Sequence, residues 1–524
     1  MTTTAERQLA PFRNEAIRDF KDPQDRTSLE AALGRARAKL GTHYPLVIDG
    51  KKIETTQTIR SMNPAHPDQV VGEVGSASAE QASQAVEVAL KRFDAWKEKS
   101  AAKRAEILFR AAELIRERRD DFNALLILEV GKSWPEADAD TAEAIDFLEF
   151  YGREALRYDR APALVPVSGE KNELRYIPLG VGIVIPPWNF AFAIMAGMTA
   201  AAVVTGNTVV LKPSSDSAVI AAVFVDLLHE AGLPAGVLNF VPGSGRTIGD
   251  VLVAHPKTRF IAFTGSKEVG LHINELAAKV QPGQKWIKRV IAEMGGKDSI
   301  IVAADADLDK AVEGVAVSAY GFQGQKCSAC SRAIVEAPVY DAFLEKLKAR
   351  VATISTGDPA QAGIYMGPVI NENARRSILR YIEVGSQEGR VVAGGKPVEL
   401  DGGYYVQPTV IADVAPTATI AQEEIFGPVL AVIKARDFDD ALAIANNTEF
   451  GLTGSVYSQD EKKLERATSE FFVGNLYLNR KSTGALVGGH PFGGFNMSGT
   501  DSKAGGYDYL LLFLQAKAIS KKIG

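Results

Sequence analysis

Apolar residues recur at helical spacing in the first third of the chain and then condense into short unbroken runs. Ala82, Val86, Ala89, Phe93 and Trp96 follow a capping box at Ser78-x-x-Gln81 and predict one helix. Ile107, Leu108, Ala111, Leu114 and Ile115 predict a second. A third, about Glu136 to Leu156, carries many acids, which read as a solvated face. Ser28 to Lys39 reads as helix within an arm of residues 1–40. Tyr44 to Lys51 reads as strand and Asp-Gly turn.

Further on, strand and helix alternate. Asn172 to Pro178, Val181 to Ile185, Thr208 to Leu211, Val237 to Val241 and Arg259 to Thr264 are strand candidates. Phe190 to Thr205 and Ala218 to Ala231 are helices, the latter stopped by Gly232-Leu233-Pro234. From Glu293 to about Gly474 the alternation repeats. Its strands are Ser299 to Val302, Ser331 to Val335, Val429 to Ile433 and Gly454 to Tyr457. Its helices are Asp309 to Tyr320, Pro338 to Ile354, Ala374 to Glu388 and Phe438 to Asn446. The reading is α/β, with two doubly wound, Rossmann-like parallel sheets.

Composition narrows the function classes. At 524 residues the chain exceeds what one core supports, so two or more domains are expected. Apolar residues make up 46% and charged residues 23%, as in a soluble globular protein. A net charge of −5 without a basic block argues against nucleic acid as a ligand. Tyr176 to Leu211 is uncharged, but prolines and glycines interrupt it, so stable membrane insertion is not expected. Met1 to Asp22 lacks the apolar core of a signal peptide. With two cysteines only three apart, a reducing compartment, the cytoplasm, is expected.

Those cysteines sit together in Tyr320-Gly321-Phe322-Gln323-Gly324-Gln325-Lys326-Cys327-Ser328-Ala329-Cys330. A thiol becomes a nucleophile as thiolate and needs activation from a pKa of about 8.5. Lys326 is adjacent and is expected to help electrostatically. Glu293, in Glu293-Met294-Gly295-Gly296-Lys297, is a candidate base with little steric cover. A redox pair, half a zinc site and two buried small hydrophobes compete with this. The six histidines have no ligand spacing, so no metal is expected. On this stretch alone, nucleophile and buried hydrophobe stand level.

Two glycine turns between strand and helix are candidates for meeting a pyrophosphate: Gly243-x-Gly245-x-x-x-Gly249 and Gly265-Ser266-x-x-x-Gly270. Singly, each is as well explained as an ordinary turn. Lys212-Pro213-Ser214-Ser215 lies just past a strand end, where such sheets bind ligands.

Seven segments taken in order resemble the aldehyde dehydrogenase superfamily. They are Pro187-Trp188-Asn189-Phe190, Lys212-Pro213-Ser214, Phe263-Thr264-Gly265-Ser266, Glu293-Met294-Gly295-Gly296-Lys297, Gly324-Gln325-Lys326-Cys327, Glu423-Glu424-Ile425-Phe426-Gly427-Pro428 and Pro491-Phe492-Gly493-Gly494. The resemblance implies that fold, with a dinucleotide-binding domain (41–155 and 179–292) and a catalytic domain (293–480). It also implies a small oligomerisation flap (156–178 and 500–524) and at least a homodimer. Cys327 would attack an aldehyde, Asn189 and the Cys327 N–H would hold the oxyanion, and Glu293 would activate water. Lys212 and Glu424 would hold the riboses, Gly265 and Ser266 the pyrophosphate, with Phe426 at the nicotinamide end and Pro187 as a further cofactor contact. Cys330 has no role. Where the family often has glutamate this chain has Ser215, which removes a carboxylate that repels a 2′-phosphate. NAD is the expected cofactor, with NADP accepted as well.

Cys327-Ser328, Arg480-Lys481-Ser482-Thr483-Gly484-Ala485 and the run from Gly493 to Thr500 resemble the branch acting on L-glutamate γ-semialdehyde. That branch closes proline breakdown by making L-glutamate. The resemblance implies that Gly484, Ala485 and Ser328 meet the substrate carboxylate, Phe190 and Phe492 its aliphatic middle, and Glu143 its ammonium. A solvated surface acid is the competing reading for Glu143. No length remains for a flavin barrel, so a separate proline dehydrogenase is the expected, transient partner. Alternatives are another ω-semialdehyde such as succinic semialdehyde, a non-catalytic dinucleotide-binding protein, and a thiol–disulfide oxidoreductase.

Overall fold

The computed structural model describes residues 9–523, so the first eight residues of the expected arm lie outside the described residues. Two seven-stranded sheets organise the chain. The first runs Arg289–Glu293, Thr258–Thr264, Val181–Ile185, Thr208–Leu211, Leu238–Phe240, Leu46–Ile48, Lys51–Ile53. Its first five strands are parallel, Leu46–Ile48 runs against them, and Lys51–Ile53 pairs antiparallel with Leu46–Ile48. The second runs Arg390–Ala393, Thr409–Ala412, Val429–Ala435, Arg332–Glu336, Ser299–Val302, Thr453–Tyr457, Asn475–Leu478. All but the Arg390 edge strand are parallel. Burial on both faces explains why these strands read as continuous apolar runs rather than alternations.

A two-stranded ribbon pairs Glu170–Pro178 antiparallel with Leu514–Lys522, from Pro178 opposite Leu514 to Glu170 opposite Lys522. The C-terminal segment thus returns to the middle of the chain. On the way, Val487, Tyr509, Leu510 and Phe513 enter the core that packs one face of the first sheet.

Strands missed from the pattern include the short Thr409–Ala412 and Asn475–Leu478, each beside a proline- or glycine-broken loop, the sheet-edge strands Arg289–Glu293 and Arg390–Ala393, and the pair Thr58–Asn63 and His66–Gly75. The largest error concerns the acidic helix, observed at Trp134–Tyr158. Asp138, Asp140, Asp146 and Glu154 are buried, not solvated. The helix is packed between Ala101–Glu117, Arg119–Val130 and Ala193–Val204, so even its acidic positions are covered. Each of these acids is paired: Asp138 with Arg119, Asp140 with Lys132 and with the Ala193 N–H, Glu154 with Arg157, Asp146 with Asn14.

Candidate active site

Loops leaving the carboxyl ends of the first sheet's strands converge on one cleft. Val181–Ile185 delivers Pro186, Pro187, Trp188 and Asn189, Thr208–Leu211 delivers Lys212, and Thr258–Thr264 delivers Gly265 and Ser266. With Met294, Gly295, Glu424, Phe426 and Cys327 they line a cleft of about 440 Å³. A second cavity, about 110 Å³ and mainly apolar, lies beyond it. It is lined by Glu143, Phe190, Glu293, Cys327, Ser328, Gly484, Ala485 and Phe492, among others. Cys327 lines both, and its half-buried side chain stands where they meet.

The loop carrying Cys327 is held in an uncommon shape. Phe322 and Gln323 adopt left-handed backbone angles (φ 50° and 57°), and Gly324 follows at 67°. Such angles cost non-glycine residues about 1–3 kcal/mol each and persist only where surroundings impose them. Here the Gln323 amide donates to Gly131 O (3.1 Å) and Pro368 O (2.7 Å), while Gln325 Oε1 accepts from Ile370 N (2.9 Å). The Asn189 amide donates to Gln325 O at 3.0 Å, which leaves its second N–H for a ligand oxygen.

Two expectations about activation fail. Lys326 does not serve the thiol, because its ammonium is paired with Glu136 at 2.7 Å. Burial, then the negative charges of Asp298, Glu424 and Glu293, push the Cys327 thiol far above its ordinary range. Cys327 therefore rests as a protonated thiol and needs a proton acceptor. Glu293 is also not open. Its carboxylate accepts the Ser502 hydroxyl (2.6 Å) and N–H (3.1 Å) on Oε1, and the Gly494 N–H (3.1 Å) on Oε2. Burial nonetheless raises it to about 7, against those hydrogen bonds. A carboxyl titrating near neutrality is matched to general-base work.

The cleft fits a dinucleotide. Lys212 is 7% exposed, and among the described residues its ammonium has a single hydrogen bond, to Pro213 O at 3.2 Å. Burial lowers it to about 8, a cost that a ligand oxygen would offset. Gly265 and Ser266 precede the helix Lys267–Ala278, whose N-terminus Ser266 caps. Glu424 receives the Gly296 N–H at 3.0 Å, and a side chain on Gly295 would strike its carboxylate. Phe426 meets Trp188 edge to face at 5.5 Å. Ser215 does not join them. It is exposed at the start of a short turn, and Ser214 lines the cleft instead. The Gly243 turn is not among the lining residues either.

All six expected substrate contacts line the apolar cavity. Glu143 faces it, and burial followed by the charge of Asp140 raises this carboxyl to about 8. Gly484 has φ 77°, a conformation that glycine adopts without strain. Phe190 is backed by the fully buried Lys132, whose ammonium lies 4.3 Å from its ring centre and 4.6 Å from that of Phe322. Residues not found from sequence are Ser502, which holds Glu293, and Phe147 and Tyr151, which wall the cavity. The last two lie four and eight residues beyond Glu143, so helical spacing could have found them. Ser502 gave no such signal, since it is far from Glu293 in sequence.

Residues 52–519 match the family described as "Aldehyde dehydrogenase family". A 1-pyrroline-5-carboxylate dehydrogenase of Geobacillus kaustophilus is 56% identical over 513 residues, covering 98% of this chain and 99% of that one. A crystal structure of a Thermus 1-pyrroline-5-carboxylate dehydrogenase with bound NAD is 51% identical, with a TM-score of 0.97. It covers 98% of this chain and 100% of that one. Proline utilization A from Bdellovibrio bacteriovorus is 44% identical, with a TM-score of 0.96. It covers 98% of this chain and 53% of that one.

Proposed function

This chain belongs to the aldehyde dehydrogenase family, and from that premise we propose that it oxidises L-glutamate γ-semialdehyde to L-glutamate with NAD, in proline catabolism. The observation that carries the reading is Cys327 standing between a dinucleotide-fitting cleft and an apolar cavity with polar groups at its ends.

The thiol gives up its proton to a base, for which Glu293, one of two carboxylates lining the same cavity, is the candidate, as sulfur attacks the aldehyde carbon. The resulting thiohemiacetal oxyanion is met by the Asn189 amide and the Cys327 N–H. Bound in the cleft by Lys212, Gly265, Ser266, Glu424 and Phe426, NAD would supply the acceptor for the hydride leaving that carbon. The product on the chain is a thioester at Cys327. Once the thiol's proton has passed from Glu293 to solvent, that carboxylate takes a proton from water as the water oxygen attacks the thioester, and collapse expels the Cys327 thiolate, which recovers this proton as the acid leaves. Asn189→Ala is expected to lower kcat by ~10²–10³, the usual cost of one oxyanion donor.

The substrate's ends select it. The N–H groups of Gly484 and Ala485 and the Ser328 hydroxyl receive the carboxylate, Phe190 and Phe492 flank the chain, and Glu143, raised to about 8 by burial and ionised by the approaching cation, takes the ammonium. Glu143→Ala should raise KM for the semialdehyde about tenfold or more while leaving succinic semialdehyde, which lacks the amino group, unchanged. Equal effects on both would overturn the assignment. Ser215, exposed beside the cleft-lining Ser214, brings no carboxylate to the rim that would repel a 2′-phosphate, so NADP should be accepted too. A kcat/KM preference for NAD above ~10³, at ~1.4 kcal/mol per tenfold, would count against it. The deciding assay is NADH formation on 1-pyrroline-5-carboxylate, which equilibrates with the semialdehyde.

Two further parts of the reading concern partners and place. The ribbon of Glu170–Pro178 and Leu514–Lys522, with most of its side chains at least partly exposed, supports strand exchange in a dimer or larger homo-oligomer. A proline dehydrogenase supplying the substrate fits the Bdellovibrio relative, of which this chain matches only 53%. Both cysteines are free, in keeping with a cytoplasmic enzyme, and no helix among the described residues is long and apolar enough to cross a membrane.

A further inference from the structure

The helix Trp134–Tyr158 presents different faces to two neighbours. Glu143, Phe147 and Tyr151 line the apolar cavity. Asp138 and Asp146 instead lie beneath residues 9–22, a stretch mostly without regular secondary structure. Backbone donors fix that stretch: Glu15 N–H to Asp146 Oδ1 at 2.7 Å, and Arg18 N–H to Asp138 Oδ2 at 2.9 Å.

Asn14 reaches further. Its side-chain amide donates at 2.9 Å to Asp146 Oδ2 and at 2.9 Å to the Val487 carbonyl. Beside it, the Phe12 ring meets Phe150 edge to face at 5.2 Å and covers Gly488, where an added Cβ would come within 3.3 Å of it. Val487 and Gly488 directly continue the turn of Gly484 and Ala485. On the other side, Gly488 N donates to Gly505 O (2.8 Å), and Gly505 N to the Tyr151 hydroxyl (2.8 Å). The turn is therefore gripped between the cavity wall and the N-terminal arm. Main-chain donors recognise a carboxylate only if they are held within about 0.5 Å of the productive position.

We propose that the N-terminal arm is a substrate-selection element, in which Asn14 and Phe12 are positioning residues that hold the Gly484–Ala485 turn against the Trp134–Tyr158 helix. This rests on the reading that Gly484 and Ala485 receive the substrate carboxylate. Asn14 is exposed on its outer side, so its truncation opens no cavity.

The experiment measures kinetics of wild type, Asn14→Ala and Phe12→Ala on L-glutamate γ-semialdehyde and on propanal, which has neither carboxylate nor ammonium. Both variants are expected to raise KM for the semialdehyde about 10- to 20-fold, the low end of what one hydrogen bond to a charged group is worth. Their kcat should stay within about twofold, and so should kcat/KM on propanal. A merely structural role would depress both aldehydes alike, and that result, or an unchanged KM, overturns the inference. Wild type showing no preference for the semialdehyde over propanal would instead remove the functional reading beneath it.

Discussion

Cys327→Ala is expected to lose NADH formation on 1-pyrroline-5-carboxylate by on the order of 10⁴-fold or more. Enzymes accelerate reactions by about 10⁶-fold upward, and without the sulfur no covalent route to the acyl intermediate remains. The protein should stay folded. Cys327 is only half-buried, and the Gln323 and Gln325 contacts that shape its loop do not involve the sulfur. NAD binding, measured by calorimetric titration, should change little, since Lys212, Ser266 and Glu424 are untouched. Cys330→Ser is the companion control. Cys330 is buried in the second sheet's core and lines neither large cavity, so aldehyde oxidation should persist. A Cys327→Ala protein keeping a tenth of the activity would refute the covalent mechanism, and loss of activity in Cys330→Ser alone would favour thiol–disulfide chemistry.

Glu293→Gln carries the second largest effect. It should lower steady-state turnover by ~10²–10⁴, the range for removing a general base. The substitution keeps the shape, and the amide oxygen can still accept from Ser502. If thioester hydrolysis is the step lost, rapid mixing should show a stoichiometric burst of NADH followed by slow turnover. The pH profile gives an independent reading. A base acts ionised, and burial places Glu293 at about 7, so wild-type turnover should rise as pH increases through about 7. The thiol is pushed much higher and does not titrate there. Glu424 is also raised to about 7 by burial, so the profile of Glu293→Gln decides between them. If the rise near 7 survives in that variant, it belongs to another group.

The failed expectations have a common cause. For Lys326 beside Cys327, and for the acids of the Trp134–Tyr158 helix, sequence shows only the adjacent residues. Their charges are instead satisfied by groups elsewhere in the chain: Glu136 for Lys326, Asn14 and the Glu15 N–H for Asp146, Arg119 for Asp138. A buried charge must find a partner, and sequence does not show which distant group supplies it. Ser502 was invisible for the same reason, since its contact with Glu293 spans 209 residues.

By itself the sequence determined the α/β class, the strand-end loops and the residue types of the chemistry. Short apolar runs, glycine turns and motif order are local properties, written in adjacent residues. Tertiary structure alone decided that Cys327 borders two cavities, that Glu293 is held by the returning C-terminal segment, and that the acidic helix is covered. Each of these depends on which long-range surfaces close against each other, and packing sets that across hundreds of residues rather than any local preference.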